Sequence, residues 1–572
     1  MKNSLYIGIL LALIIHSSCS SSNREIVQAE LGRVSEMPTN PTPYKILDWC
    51  EKTKNFDEIV FNYQPASQED AFIWIDNSQR NFPQATFGLY TVVGDIRQGP
   101  NVNNGEFHEA INSLGALLSA GLVGIDKTNQ NGYNYPMMVQ NYFNRENGWN
   151  IMMNNTSPEV ALLGGGYGRD WWYDVFPNVL YFAVSDLFPG VVRADSLQKL
   201  IAEQFYKADS VLDGNYDYSY FDYSTMEGKR SDIPYQQDAA AGHAWVLYSA
   251  YQKFGDERYL EGAISALDAL YSQSESRFYE VLMPFGAYTA ARLNAEMDTK
   301  YDVLKIFEWT FDGCTNEDGR YGWGIINDRW GDYDVSGIQG NILQDGGYGF
   351  LMNTFDMAWP LVSLVRYEPQ FAEIVGKWML NAANAARLYY PYEIPDGNQW
   401  LPKEKELTRN VIAYEGLKKT DAYNKKELEG VSPVALGDGP NWVIGQPSIS
   451  MFSIYGSAHV GVFGSIIRET NVEKILQLNC LATDFYRNPA YPTYLYYNPY
   501  DEDKIIDYYN GSEPVDLYDA ISHRIVSKQT SETVNFTLPA NQSMIIVAIP
   551  KGSKFNKVKG KTMLNDIVIA YK

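Results

Sequence analysis

From residue 239 to residue 273 the chain reads AAAGHAWVLYSAYQKFGDERYLEGAISALDALYSQ. In each half, apolar residues recur three and four apart, so each half can bury one broad helical stripe. Gly255 stops the first half, since glycine takes a left-handed turn without steric cost, and Asp256 can accept from the free N–H groups that open the second. So short a joint leaves the two helices antiparallel and in contact, a helical hairpin.

The device recurs along the chain. An amphipathic helix is expected over 191–212. Further pairs are expected over 283–297 with 301–311, 347–366 with 369–388, and 448–468 with 472–485. Earlier helices are expected over 44–54, 68–80 and 106–122, and another after residue 170. Pro177 and Pro360 fall inside two of these segments and should kink or interrupt them. Strand-like runs are nearly absent up to residue 485, and the glycine-rich stretch 322–347 reads as a loop. Beyond 486 the period changes to short β-branched and aromatic runs such as TYLYYNP and QSMIIVAIP, set off by Pro, Gly, Asn and Asp. The expected fold is mainly α, with helical hairpins over 44–485 and a small all-β domain over 486–572.

The first residues read as a targeting segment. Lys2, the apolar run 5–15 and His16-Ser17-Ser18-Cys19 form a charged start, a short hydrophobic core and small residues ahead of a cysteine. The run is too short to span a bilayer as a stable helix. It resembles a bacterial lipoprotein signal, which implies a signal peptide over 1–18, lipidation of Cys19 and a tether and linker over 19–43. The expected location is the cell envelope, with the membrane as a partner through that anchor. Cys50, Cys314 and Cys480 show no paired spacing and read as buried thiols.

With 43 Tyr and 13 Trp, the chain has a surplus of stacking residues suited to flat sugar rings. A formal charge of −23 with no Lys/Arg cluster excludes a nucleic-acid partner. No metalloprotease, P-loop, nucleophile-elbow or dinucleotide motif stands in a fitting context, and the aspartates at 328, 332 and 334 lack the EF-hand register. No cofactor and no metal are expected. Polar chemistry is densest in two stretches of similar design. In 164–190, glycines lead into Tyr167, Arg169, Asp170, Trp171, Trp172 and Asp174 and then an apolar helix; in 320–367, a loop with Trp330, Asp332 and Asp345 leads into Tyr348, Asn353 and another apolar helix. Lys127 and Asn129 lie in a third polar loop.

Serial hairpins with glycine-rich loops, the 239–273 stretch above all, look like the six-hairpin glycosidase superfamily, whose members form an α/α toroid. The resemblance covers roughly residues 44–485. It implies an (α/α)6-type toroid whose loops at one mouth, here around 126–134, 167–174, 223–243, 328–356 and 455–459, form the site, with an oligosaccharide or polysaccharide as substrate. The first expectation is a glycoside hydrolase that removes a terminal uronic-acid-type sugar. Asp170, Asp238 and Asp345 are then the carboxylates for acid–base work, each opening a helix where capping would be its structural role. The alternative is a lyase acting by β-elimination, with Tyr167, Tyr348 or His243 as base. In either case Trp171, Trp172 and Trp330 would stack on sugar, Lys127 or Arg169 would meet its carboxylate, and Asn129, Asp174, Asp332, Asn353 and His459 would bind hydroxyls. A third reading is a glycan-binding lipoprotein without turnover.

Replacing Cys19 by alanine should release the protein from membranes of its host or stall its processing. Fractionation that finds partitioning and processing unchanged would reject the anchor.

Overall fold

The computed structural model describes residues 25–65, 71–90, 109–154, 170–231, 233–315, 321–343, 347–421, 425–437, 452–509, 511, 513–528 and 533–571. The expected leader and Cys19 lie outside them. The long helices are α1 (Trp49–Val60), α2 (Ala110–Leu122), α3 (Trp171–Leu187), α4 (Ala194–Leu212), α5 (Ala239–Phe254), α6 (Glu257–Ser272), α7 (Met283–Met297), α8 (Val303–Phe311), α9 (Leu351–Leu364) and α10 (Ala372–Ala386), followed by the shorter α11 (Gly461–Ile466). The hairpin joint forms as its residues dictate. Gly255 is left-handed at φ 69°, and the Asp256 carboxylate accepts from the backbone N–H of Arg258.

Packing sorts the helices into two sets. α2 packs on α3, α3 on α5, α5 on α7, α7 on α9, α9 on α11, and α11 back on α2, so the series returns to its start. These helices are buried along almost their whole length. α1, α4, α6, α8 and α10 pack against this series; the first four keep polar faces, as the amphipathic stripe requires, whereas α10 is buried almost throughout. α3 and α9 run on past Pro177 and Pro360, so neither proline interrupts its helix.

The series closes through contacts with almost no side chain between the backbones. A Cβ on Gly461 would lie 2.2 Å from the Cα of Ser119, and one on Gly115 would lie 2.2 Å from His459 Nε2. Ser119 uses the proximity twice: its hydroxyl donates to the Ala458 carbonyl at 2.6 Å and accepts from the Gly461 N–H at 2.9 Å. Between the C-terminal half of α7 and the residues just past the end of α9 lies a buried ionic cluster. Arg366 donates to Asp484 at 2.9 Å, the Tyr288 and Tyr367 hydroxyls donate to the same carboxylate, and Arg292 bridges Glu296 and the Phe485 carbonyl.

Strands replace three expected elements. Of the helix expected over 68–80, the described residues 71–80 form none: Ile73–Asp76 pairs antiparallel with Thr86–Leu89, because the β-branched and aromatic run Phe72 to Ile75 packs better on a pleated surface. The glycine-rich stretch expected as a loop contributes β1 (Trp323–Ile325) and β2 (Gln339–Asn341), and the first residues of the helix expected over 347–366 form β3 (Tyr348–Phe350); these join β4 (Gly416–Lys418) and β5 (Val434–Leu436) in an antiparallel sheet of order β5-β4-β3-β2-β1. Gly340 belongs in that sheet, since a Cβ there would meet the Tyr348 carbonyl oxygen at 2.1 Å. The helix expected over 472–485 is instead β7 (Leu476–Asn479) next to β6 (Ile467–Glu469), with Leu476 and Leu478 buried at alternate positions. Both belong to a sheet with β8 (Thr493–Tyr497), β9 (Val515–Asp519), β10 (Arg524–Lys528) and β11 (Ser543–Pro550), ordered β6-β7-β8-β11-β9-β10. Through β8 and β11 this sheet packs on α10.

Gly461→Ala should cost about 1–3 kcal/mol or more, because the methyl meets backbone that cannot turn aside. Denaturant midpoints measured for wild type and variant check this; an unchanged midpoint would mean that α2 and α11 are not held this close.

Candidate functional site

A run of hydrogen bonds joins the N-terminal ends of α3, α5, α7 and α9, so those ends lie side by side. Gln236, just ahead of α5, donates to Asp170 at the head of α3 at 2.5 Å and accepts from the Trp172 N–H at 3.1 Å. Asp238 heads α5 and accepts from the backbone N–H of Tyr279, ahead of α7, at 3.0 Å. Glu280 accepts through its carboxylate from Asn353 in the first turn of α9 at 2.5 Å, and through its carbonyl from Gln339 on β2 at 2.9 Å. The Leu351 N–H, which opens α9, donates to the Glu415 carbonyl at 3.1 Å. At the head of α2, Glu109 accepts from Asn112 at 2.8 Å.

Neither Asp170 nor Asp238 uses its side chain to cap the helix it opens; each is directed instead to the neighbouring helix head. Burial, with the Glu280 charge nearby, pushes the Asp238 carboxyl well above the ordinary carboxylate range. Two tyrosines face this array. Tyr173 and Tyr455 are hydrogen-bonded to each other, and both phenols are raised, first by burial and then by surrounding anions. Those anions are Glu109, Glu280 and Asp170 for Tyr173, and Glu109, Glu280 and Glu415 for Tyr455. Tyr173 lies deep among protein atoms yet keeps partial exposure, the condition of a side chain on the wall of a concave opening. Phe350 is also partly exposed, stacked on Trp323 at 5.1 Å and met edge-on by Tyr348 at 4.3 Å. The buried Lys418 ammonium lies 4.8 Å from the Tyr348 ring centre. Among the described residues no group of three His, Cys, Asp or Glu side chains is disposed to hold a metal ion.

Of the residues expected from the sequence, Asp170, Asp238, Tyr348 and Asn353 come together here. Tyr167, Arg169 and Asp345 lie outside the described residues. The rest fall elsewhere. His243 is fully buried, bonded through both ring nitrogens to Tyr216 and Tyr223, and burial lowers its pKa to about 3, which leaves a neutral core group with no free nitrogen to act as a base. His459 bonds Asp356 through Nδ1 at 2.8 Å and the Ile111 carbonyl through Nε2 at 3.2 Å, tying α9 and α2 together beneath α11. Trp171 is a core residue, stacked on Tyr216 and Phe221 with its indole N–H donating to Tyr223. Trp172 is buried against Tyr173, and Asp174 is buried on α3. Trp330 is buried with its N–H on Asp328, Asp332 is exposed at the following turn, and Asn129 is exposed. Lys127 has no exposed surface; it donates to Asp57 at 2.6 Å and to Gln130, with its ammonium over the Phe61 ring, so it is an internal ion pair and not a contact for sugar. Burial lowers its pKa to about 8 against the opposing pull of Asp57.

Glu109, Glu280 and Glu415 were missed. Glu109 heads α2 but falls inside the helix expected over 106–122, and Glu280 lies in the joint ahead of α7. Glu415 sits in a stretch with neither helical period nor motif, and nothing in the sequence marks it.

Comparison with known proteins adds likenesses of shape. No family model and no curated protein matches the chain. Among solved structures it resembles a GH127 beta-L-arabinofuranosidase from Geobacillus stearothermophilus T6, at TM-score 0.35 and 10% identity over 92% of this chain and 85% of that one. It also resembles a protein described as a glycoside hydrolase, at TM-score 0.36 and 8% identity over 96% and 84% of the two chains. A GH127 beta-arabinofuranosidase follows at TM-score 0.35 and 8% identity, over 80% and 74%. Likeness this weak assigns neither activity nor substrate.

Lys127→Met should destabilise the fold by about 3–5 kcal/mol by leaving Asp57 buried without its partner, and adding Asp57→Leu should restore most of the loss. Thermal melts of the single and double variants read this directly; a single variant as stable as wild type would overturn the internal-pair assignment.

Proposed function

We propose that this chain is a glycoside hydrolase built on an α/α toroid, with Glu280 and Glu415 as its working carboxylates. The observation that carries the reading is the Tyr173–Tyr455 pair, set in a concave mouth and surrounded by Glu109, Asp170, Glu280 and Glu415. Glycoside hydrolysis needs one carboxyl to protonate the leaving oxygen and a second, ionised one to act as nucleophile or to activate water. Glu280 suits the ionised part, because the Asn353 N–H bonded to its oxygen favours the charged form. Glu415, in the field of the neighbouring anions, suits the proton donor. Both keep a little exposed surface, whereas Asp238 is sealed behind Tyr279 and serves the framework. Phe350 offers the partly exposed ring on which a sugar face can rest.

Among the described residues, acidic groups outnumber cations along this wall, which favours an uncharged sugar. A uronic acid would depend for its counter-charge on Lys418 and on Arg169, which lies outside the described residues. The leader supports export to the cell envelope.

The test is turnover of 4-nitrophenyl glycosides of neutral sugars and of glucuronate, together with plant oligosaccharides, in ¹⁸O-labelled water. Label should appear in the released sugar with no new ultraviolet absorbance. Glu280→Gln and Glu415→Gln should each lower kcat by at least about 100-fold. An absorbing, unlabelled product would reject hydrolysis in favour of β-elimination, and tight binding without turnover would favour a binding protein.

A further inference from the structure

Glu280 has a backbone φ of 57°, in the left-handed region. A residue with a full side chain held there costs roughly 1–2 kcal/mol, and it persists only where its surroundings determine the conformation. Three contacts do so. Gln339 Nε2 donates to the Glu280 carbonyl at 2.9 Å, Asn353 Nδ2 donates to its carboxylate at 2.5 Å, and the preceding N–H, that of Tyr279, is fixed on Asp238 at 3.0 Å. The two segments that carry these amides are themselves tied through the Gln339 backbone. The Gln339 N–H donates to the hydroxyl of Thr354, the residue after Asn353, at 3.1 Å, and Gln339 is pinned opposite Ile325 in the sheet.

Both amides are fully buried, and Gln339 Oε1 and Asn353 Oδ1 have no hydrogen-bond partner. An orphaned buried oxygen costs about 1–3 kcal/mol. An aliphatic side chain of the same shape would fill either place without that loss, so packing alone does not explain the amides; among the described residues, the partner that each side-chain amide nitrogen has is Glu280.

We propose that Gln339 and Asn353 are positioning residues for the Glu280 carboxylate: Gln339 fixes the left-handed backbone that aims it, and Asn353 fixes the carboxylate itself. The proposal rests on the hydrolase reading for its kinetic consequence but not for its structural one. Residues on β2 and α9 thereby set the geometry of a group that belongs to neither, in the joint between α6 and α7.

The experiment pairs crystal structures with kinetics for Gln339→Met and Asn353→Leu, near-isosteric changes that remove the donors. In Gln339→Met, residue 280 should leave the left-handed region or its side chain should split between conformers. On the 4-nitrophenyl glycoside that wild type turns over fastest, kcat should fall at least tenfold with KM within twofold. In Asn353→Leu the acid limb of the kcat/KM profile should move to higher pH by about one unit, since losing a donor to the charged form raises the pKa of a base that must be ionised to act. A merely structural role would lower the melting temperature and the active fraction and leave the limb where it was. An unchanged φ at residue 280 in Gln339→Met, or an unmoved acid limb in Asn353→Leu, would overturn the proposal. Full activity in Glu280→Gln would instead remove Glu280 from the chemistry, and the crystal structure of Gln339→Met would still decide whether Gln339 sets the backbone.

Discussion

The near-contact of backbone with backbone between α11 and α2 is what the rest of the helical body depends on. Each other neighbouring pair in the inner series is joined along the chain by loops and outer helices; α11 and α2 are joined only by packing. The contact works because Gly461 and Gly115 bring no side chain to it, so that Ser119 can bond both the Ala458 carbonyl and the Gly461 N–H, and His459 can fill the space over Gly115. The His459 ring then reaches Asp356 on α9 and the Ile111 carbonyl on α2 in one span. A histidine on an apolar face thus serves as a three-helix tie, with its polarity spent inside the fold.

The ordering of the helix heads follows from that closure. Because the inner series returns on itself, residues that begin separate helices become neighbours, and Gln236, Tyr279 and Asn353 can each bond across to the next head. Acidic side chains are favoured at helix N-termini by the unpaired N–H groups there. Several such heads gathered at one mouth give a concentration of carboxylates that no single segment of the sequence displays. The inserted sheet then reaches in with Gln339 to fix the most strained of them.

Local physics was legible wherever a few consecutive residues decide the outcome. Gly255 and Asp256 specify a joint by backbone conformation and capping, and the helix expected over 283–297 is α7 to the residue. Misreadings came where two periods fit one stretch or where a long-range contact settles the matter. Residues 472–485 carry apolar spacing compatible with a helix, but alternate burial of Leu476 and Leu478 against a sheet neighbour wins. The glycines of 322–347 looked like breakers, yet Gly340 is there because another strand passes too close for a side chain. The site was half legible for the same reason: Asp170 and Asp238 open obvious helices, whereas Glu280 lies in a joint and Glu415 between short strands. The indoles at 171, 172 and 330 were drawn toward sugar by composition, and the fold buries them.

Ring closure also has a price in time. The Gly461 N–H finds its acceptor on Ser119 across a sequence separation of 342 residues, so a ribosome adding roughly 5–20 residues per second completes α11 about 17–70 s after α2 has been made. Throughout that interval α2, apolar on nearly every side, has no partner for one of its flanks. Until α11 is in place, that flank of the first inner helix has no native cover.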